Sequence, residues 1–212
     1  MNDDVLREIV SHADIRSVFR FCQVNKTLCH QQEFLFHKIY QHHYHQTGMD
    51  VFKNKTDTMT WFQLIKRCYL LEQLRMTLPI LNTYSIKELY TVQILDLSHN
   101  RLNVLPPEIG QLSHLIYLNL SNNQLSALPP EIGQLRALQT LSLFNNQLSA
   151  LPPEIGQLSF LQTLYLSNNQ LSALPPEMGQ MCDLQYLILS YNQLNALPPE
   201  MSRLIKLHTL IF

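Results

Sequence analysis

The sequence has no long hydrophobic run, no strong excess of one charge and few cysteines. No stretch approaches 18 consecutive apolar residues, so no transmembrane helix is expected. The first residues, MNDDVLREIV, are acidic and lack the apolar core of a signal peptide. The formal net charge is -1, and residues 92–212 hold 4 Lys/Arg against 7 Asp/Glu. A surface that tracks nucleic-acid phosphates is therefore not predicted.

The four cysteines do not form a disulfide or redox pattern. Cys22, Cys29, Cys68 and Cys182 contain no CxxC pair, and the first three fall where a helix would bury small apolar groups. The pattern predicts free thiols in a reducing compartment.

Signatures of catalysis and of cofactor binding are also missing. The sequence has no Gly-rich phosphate loop, no GxSxG and no HExxH. The acidic residues that recur from Glu108 to Glu200 stand one per 23 residues and form no carboxylate pair. His42, His43 and His45 fit no structural zinc spacing and are expected at a solvated helix end. The sequence predicts a protein that is not an enzyme and holds no metal or cofactor.

The most prominent feature present is a 23-residue repeat from Val92 onwards. Its pattern is LxxLxLxxNxLxxLPPExGxL, and a sixth, partial copy ends at Phe212. No single helix or strand keeps this mixed apolar spacing, so each copy is predicted to form one turn of a coil that buries its apolar residues against neighbouring turns. The five full copies are Val92–His114, Leu115–Ala137, Leu138–Phe160, Leu161–Asp183 and Leu184–Lys206. The apolar positions of the second copy are Leu115, Leu118, Leu120, Leu125, Leu128, Ile132 and Leu135.

Each part of the repeat predicts a local structure. The alternation around Leu118–Asn119–Leu120 predicts a short strand, and stacked copies predict a parallel sheet with strands roughly 4.8 Å apart. The Pro-Pro pairs exclude sheet pairing and favour a short helical turn that begins at the second proline. Gly110, Gly133, Gly156 and Gly179 suit a tight turn, and the fifth copy has Ser202 there. The ninth position is predicted to hold backbone donors and acceptors in a ladder of amides: Asn100, Asn123, Asn146, Asn169 and Asn192.

These residues resemble the leucine-rich repeats of the 23-residue LPPEIG class. The resemblance implies a right-handed solenoid with a short parallel sheet on its concave face. The fold class is therefore predicted to be an α region followed by a repeat solenoid. Residues 1–80 are assigned to a small helical domain that caps the solenoid, and residues 81–212 to the solenoid. Ser85–Leu89 keeps the spacing of the last third of a repeat and is expected to form a partial first repeat.

The outward-facing strand positions are the candidate binding site, because their side chains are not needed to fill the core. Aromatic residues on a rigid, solvent-facing sheet are typical of protein-binding surfaces. The alternative interpretation is that these aromatic residues are scattered over the surface and bind no partner. Low charge on this face argues against a nucleic-acid ligand. The candidate residues are Ile94, Asp96, Tyr117, Asn119, Ser142, Phe144, Tyr165, Tyr186, Ile188 and Tyr191.

The first 80 residues are predicted to be helical. Asp14 is expected to cap a helix over Ile15–His30. Asp57 is expected to cap a later helix, and Pro79 is expected to end the helical region after it. The apolar stripe of that later helix consists of Trp61, Leu64, Ile65 and Cys68.

The segment LREIVSHADIRSVFRFCQVNKTLCHQQEFLFHKIY resembles a divergent F-box and is similar to those of large DNA viruses of amoebae. Leu6 stands where the family has proline, and Leu28 and Phe36 stand where it has tryptophan. The resemblance implies docking to a Skp-type adaptor of a cullin ubiquitin ligase. The docking residues would be Leu6, Ile9, Val10, Ile15 and Val18.

These resemblances lead to two hypotheses. In the first, the chain is a substrate receptor that binds the adaptor through its first helices and a target protein on the concave face. In the second, it is a repeat scaffold or sequestering protein whose helices only cover the solenoid. The expected location is the cytoplasm, and that of the host cell if the chain is viral. The unpaired edge at Leu210–Phe212 is expected to form a homodimer or to pack on something else, unless the chain was truncated there.

Overall fold

The computed structural model describes residues 61–212. The predicted helices and the F-box-like segment before residue 61 lie outside the described residues. Helix α1 spans Trp61–Thr77, a 3-10 helix spans Pro79–Thr83, and helix α2 spans Ile86–Thr91. The predicted helix after Asp57 is therefore present from Trp61. None of the helices from residue 61 onwards is both long enough and apolar enough to cross a membrane.

The repeats form one parallel sheet of six three-residue strands in chain order. Each residue pairs with the residue 23 positions later, for example Leu118 with Leu141. This register confirms the parallel sheet that the repeat predicted, because every turn of the coil adds one strand beside the last. The strands are β1 Ile94–Asp96, β2 Tyr117–Asn119, β3 Thr140–Ser142, β4 Thr163–Tyr165, β5 Tyr186–Ile188 and β6 Thr209–Ile211.

Short 3-10 helices form the side of the solenoid opposite the sheet. Each begins at the second proline of a Pro-Pro pair, as predicted, because the fixed φ of proline suits the first helical position. The first proline is extended, as at Pro129, where φ is -69° and ψ is 146°. The helices span Pro107–Gln111, Pro130–Gln134, Pro153–Gln157, Pro176–Gln180 and Pro199–Arg203.

The apolar positions of the repeat form a continuous core between the sheet and the 3-10 helices. In the second copy all seven predicted positions are buried, from Leu115 to Leu135. The terminal copies are more open, since Val92, Leu102, Leu194 and Leu197 are only partly buried. Burial of a leucine side chain contributes roughly 1.5–3 kcal/mol, but only where the next turn covers it. The core therefore depends on stacking, as the repeat predicted.

The glycines lie inside the 3-10 turns, and contact between adjacent turns of the solenoid adds a requirement for glycine that the sequence did not indicate. A Cβ atom at Gly110 would lie 2.7 Å from the carbonyl oxygen of Glu131, and one at Gly133 would lie 2.5 Å from that of Glu154. None of the repeat glycines has the left-handed backbone that favours glycine. A side chain is excluded because the 3-10 helices of adjacent turns approach too closely for one.

Helices α1 and α2 cover the first turn of the solenoid. Cys68, Leu71 and Leu74 of α1 belong to the same buried core as the repeats. Helix α2 begins with a capping box in which Ser85 and Glu88 satisfy each other's backbone N–H groups. Leu89 is buried, like Leu112 one period later, and the assignment of Ser85–Leu89 to a partial repeat stays a prediction. The boundary at residue 80 and the right hand of the solenoid stay predictions.

Arg67 ties α1 to the first turn. Its Nε and Nη2 atoms donate to the carbonyl oxygen of Gln111 at 3.1 and 2.9 Å, and Nη2 also bonds to the hydroxyl of Ser113. The guanidinium carbon lies 4.0 Å from the centre of the Tyr90 ring. Burial lowers the pKa of Arg67 from its ordinary value, and the Tyr90 hydroxyl opposes that shift. One half-buried side chain thus joins the helix, the first turn and α2.

Candidate functional site

The strand face is built on the asparagine ladder, which fixes where each strand ends. The Nδ2 atom of Asn146 donates to the carbonyl oxygens of Leu120 and Leu143, both at 3.0 Å. Its Oδ1 atom accepts from the N–H of Leu125 at 3.1 Å. The amide therefore serves backbone groups of its own turn and of the preceding turn. Asn123, Asn169 and Asn192 make the equivalent contacts in their own turns, while the Asn100 side chain bonds within its own turn.

The outward positions of the strands form two rows across the sheet. We call these rows together the strand face. Because the central leucine of β1 to β5 is buried in the core, the residues on either side of it point outward, and the register extends the same rows to β6. The first row is Ile94, Tyr117, Thr140, Thr163, Tyr186 and Thr209. The second row is Asp96, Asn119, Ser142, Tyr165, Ile188 and Ile211.

The largest exposed aromatics of the strand face lie on neighbouring strands. Tyr165 is 40% exposed and Tyr186 is 46% exposed, while Ile188 pairs with Tyr165 in the sheet and is half-buried. Tyr117 and Asn119 are half-buried on β2. Exposed outward residues therefore occur on β4 and β5 and also at both ends of the sheet, where Ile94 and Asp96 are exposed on β1 and Ile211 is exposed on β6.

Ser142 differs from the sequence interpretation, since it is buried with 5% of its surface exposed. Its short side chain lies in the row between Asn119 and Tyr165, which are both larger. At a strand spacing of about 4.8 Å, larger neighbours shield a serine from solvent. Ser142 therefore adds little surface for a partner to contact.

Phe144 and Tyr191 lie beyond the strands, on the loops that follow β3 and β5. Phe144 is exposed and stands where the other turns have serine. Tyr191 is 81% exposed and has a left-handed backbone with φ of 60°. The residues at the same position in the other turns are His99, Asn122, Asn145 and Asn168, all with positive φ.

The left-handed position was missed in the sequence, although its signal was present. Asn-Asn pairs place an asparagine before three of the five ladder residues, and asparagine tolerates the left-handed region better than most other side chains. The exposed side chains also bond between turns. The Asn145 Nδ2 atom donates to Asn122 Oδ1 at 2.7 Å, and Asn122 Nδ2 lies 3.1 Å from His99 Nε2. Tyr191 cannot continue such a row of amides.

Within the described residues, the charged side chains of the strands and of the loops that follow them belong to the first turn. Hydrogen bonds from the hydroxyl and the N–H of Ser98 lower the pKa of the Asp96 carboxyl, which is therefore ionised at neutral pH. His99 and Arg101 follow on the same loop.

No group of three metal-binding side chains occurs among residues 61–212. The adaptor-docking candidates Leu6, Ile9, Val10, Ile15 and Val18, and the histidine cluster, lie outside the described residues.

Comparison with known families identifies the repeats. The family described as "Leucine-rich repeat region" matches residues 108–170 and 131–212, and "Leucine Rich Repeat" matches residues 91–112. Together these matches extend over residues 91–212, more than half of the chain. Leucine-rich repeat proteins typically bind other proteins and are typically not enzymes. None of the curated proteins matches the chain.

Two solved structures share the arrangement. A leucine-rich repeat protein of Leptospira interrogans is 41% identical with a TM-score of 0.51, and the match covers 63% of this chain and 39% of that one. A plant peptide hormone receptor, solved in complex with RGF2, is 34% identical with a TM-score of 0.52, over 58% of this chain and 21% of that one. The chain thus matches less than half the length of either structure. By its sequence repeat, its six-stranded parallel sheet and its asparagine ladder, the chain belongs to the leucine-rich repeat proteins.

Proposed function

We propose that the chain is a protein-binding module that holds a target protein on its strand face. The observation that supports this most directly is the exposure of Tyr165 and Tyr186 on neighbouring strands of a sheet whose backbone is fixed by the asparagine ladder. Tyrosine provides a large contact area with few torsions to immobilise, so it is common where proteins bind tightly. The rigid sheet adds little ordering cost on binding.

Affinity capture from cell lysate tests the position of this surface. Wild-type chain is compared with a Tyr165→Ala/Tyr186→Ala double variant and with Glu154→Gln, which changes the opposite side of the solenoid. The target is expected on wild type and on the Glu154 variant, and to be lost from the double variant. A target that all three chains retain equally would place the binding surface elsewhere.

The finer proposal is a substrate receptor of a ubiquitin ligase. It rests on the F-box-like segment, whose residues Leu6, Ile9, Val10, Ile15 and Val18 would dock a Skp-type adaptor. In this role the chain supplies proximity between the target and the ligase and carries no catalytic residue. The site of action would then be the cytoplasm, and that of the host if the chain is viral.

The alternative is a scaffold or sequestering protein whose first helices only cover the solenoid. It is supported by α1, which shares its core with the first turns through Cys68, Leu71 and Leu74. Replacement of Ile9 and Val18 by aspartate separates the two roles. A receptor would lose adaptor binding while its melting temperature stayed unchanged, whereas a cover would lose stability. Self-association through the open edge of β6 stays a prediction.

A further inference from the structure

We propose that the strand face and its following loop edge accept an uncharged segment of the partner, with Tyr191 as a specificity-determining residue. This inference rests on the proposed function and names the chemistry of the partner. It is carried by two observations: the distribution of charge around the solenoid and the backbone conformation of Tyr191.

Charged side chains are segregated to the other side of the solenoid. Four stretches of eleven residues contain each strand of the second to fifth turns and the loop that follows it. None of the four contains an Asp, Glu, Lys, Arg or His. In the same turns the charged residues lie on the 3-10 helices or just after them, as Glu131, Arg136, Glu154, Glu177 and Asp183 do. The stretches are 117–127, 140–150, 163–173 and 186–196.

The strand face is uncharged and aromatic from β2 to β5, and this part of it selects against a charged ligand segment. Covering this face would remove a partner's charge from water without supplying an opposite charge, and that desolvation is costly. Hydroxyl and amide groups are present instead, on Thr140, Thr163 and Asn119. They can bond to an extended backbone while Tyr165, Tyr186 and Ile188 contact apolar side chains. Without a charge pair, association is not steered by long-range attraction and changes little with salt.

Tyr191 has a conformation that its own side chain does not favour. It has a φ of 60°, whereas the three preceding turns have asparagine at this position with φ between 54° and 57°. Its carbonyl oxygen accepts a hydrogen bond from the N–H of Asn169 at 3.3 Å, so the loop is stacked like the others. The Tyr191 side chain is bulky for the left-handed region and is 81% exposed. The side chain therefore stabilises neither the core nor the turn. We infer that its phenol ring is retained for contact with the partner.

Stability and binding should therefore change in opposite directions at this residue. Tyr191→Asn restores the residue that the turn favours and is expected to raise the melting temperature by roughly 2–4 °C. Asn168→Tyr, the reverse exchange one turn earlier, is the matched control and should lower it by a similar amount. A lower melting temperature for Tyr191→Asn would show that the tyrosine is structural and would overturn its assignment.

Selection of random dodecapeptides displayed on phage, with the full chain as bait, tests the partner chemistry. The selected peptides are expected to be poor in charged residues and rich in apolar ones. Their affinity should fall at least about tenfold with Tyr191→Asn or Thr163→Glu. It should change less than about twofold between roughly 0.05 and 0.5 M NaCl. Gln180→Glu, on the opposite side, is the control for the added charge and should have no effect.

The other outcomes separate this inference from the proposed function. Selection of charged peptides would overturn the proposal that the partner segment is uncharged, if their binding weakens steeply with salt. If Tyr165→Ala also abolishes their binding, the strand face remains the binding surface. Peptides that no strand-face substitution weakens would overturn both. Failure to select any peptide would show that the face does not accept an extended segment and would also overturn the inference.

Discussion

The Nδ2 atom of Asn146 lies 3.0 Å from the carbonyl oxygen of Leu120, a residue that precedes it by 26 positions. The two residues belong to different turns of the solenoid, so a single side chain joins the ends of two strands. The same amide also bonds to Leu143 and Leu125, and Asn146 itself is buried. Removing the amide would leave buried carbonyl and N–H groups without partners.

Asn146→Ala should therefore lower the free energy of unfolding by about 3 kcal/mol or more, since each unpaired buried group costs about 1–3 kcal/mol. Urea unfolding followed by circular dichroism measures this change. Gln147→Ala, at the exposed next residue, is the control and should change stability by less than about 0.5 kcal/mol. Equal effects of the two substitutions would refute the structural role of the ladder.

Gly133→Ala tests the close approach of the 3-10 helices. The added methyl would lie 2.5 Å from the carbonyl oxygen of Glu154, so the turns must separate locally. We expect a loss of about 1–3 kcal/mol, the usual cost of an overpacked contact. Ser202→Ala is the control, because Ser202 is exposed at the equivalent position of the fifth turn. If Gly133→Ala proved as mild as its control, contact between turns would not be what requires glycine.

Arg67→Lys tests the contact between α1 and the first turn. Lysine keeps the charge but cannot reproduce the forked pair of bonds to the Gln111 carbonyl oxygen. Stability should fall by about 1.5–3 kcal/mol, the range for hydrogen bonds from charged groups. Arg75→Lys is the control on the same helix, because the Arg75 side chain makes only a partly exposed ion pair with Glu72, at 3.7 Å. This substitution should lower the free energy of unfolding by less than about 0.5 kcal/mol. A larger effect at Arg75 would contradict this account.

Cys68 and Cys182 should differ sharply in reactivity. Burial raises the pKa of the Cys68 thiol to about 12, while Cys182 is exposed. Because the thiolate is the reactive form, brief treatment with iodoacetamide near pH 8 should alkylate Cys182 and spare Cys68. Peptide mass spectrometry measures the labelling of each thiol, and chain unfolded in urea is the control that labels both. Rapid labelling of native Cys68 would show that α1 does not cover it.

The same pKa shift makes stability depend on pH in the alkaline range. The Cys68 thiol stays protonated in the folded chain up to about pH 12, whereas the unfolded thiol ionises around its ordinary value of 9.0. Above that value the unfolded state binds fewer protons, so this group's contribution to stability falls as pH rises from about 9 to about 12. The slope is at most about 1.4 kcal/mol per pH unit. Cys68→Ala should make unfolding less sensitive to pH between 9 and 10.5.

Those features that depend on the repeat period were predictable from the sequence. A pattern that returns every 23 residues requires the same contacts in each turn, so the parallel register and the buried positions from Leu115 to Leu135 followed from it. The Pro-Pro pairs likewise identified where the short helices begin. The donor and acceptor of one amide side chain indicated the role of the ladder asparagines before any distance was known.

Other features depend on distances that the pattern does not contain. The close contact that requires the glycines was not predictable, because the spacing between adjacent 3-10 helices is set by packing of whole turns. Ser142 is buried because its row neighbours are large, which requires the cross-strand register. Arg67 is separated by 44 residues from Gln111, and no sequence signal joins the two. The left-handed backbone of Tyr191 was missed, although asparagine at the same position of the three preceding turns indicated it.

Gel filtration of the full chain with a purified Skp-type adaptor tests the central functional proposal most directly. A substrate receptor is expected to elute with the adaptor as one stable complex, and aspartate at Ile9 and Val18 should abolish that complex. Absence of a complex, with the chain folded as judged by circular dichroism, would contradict the receptor and leave a leucine-rich repeat scaffold whose first helices only cover the solenoid.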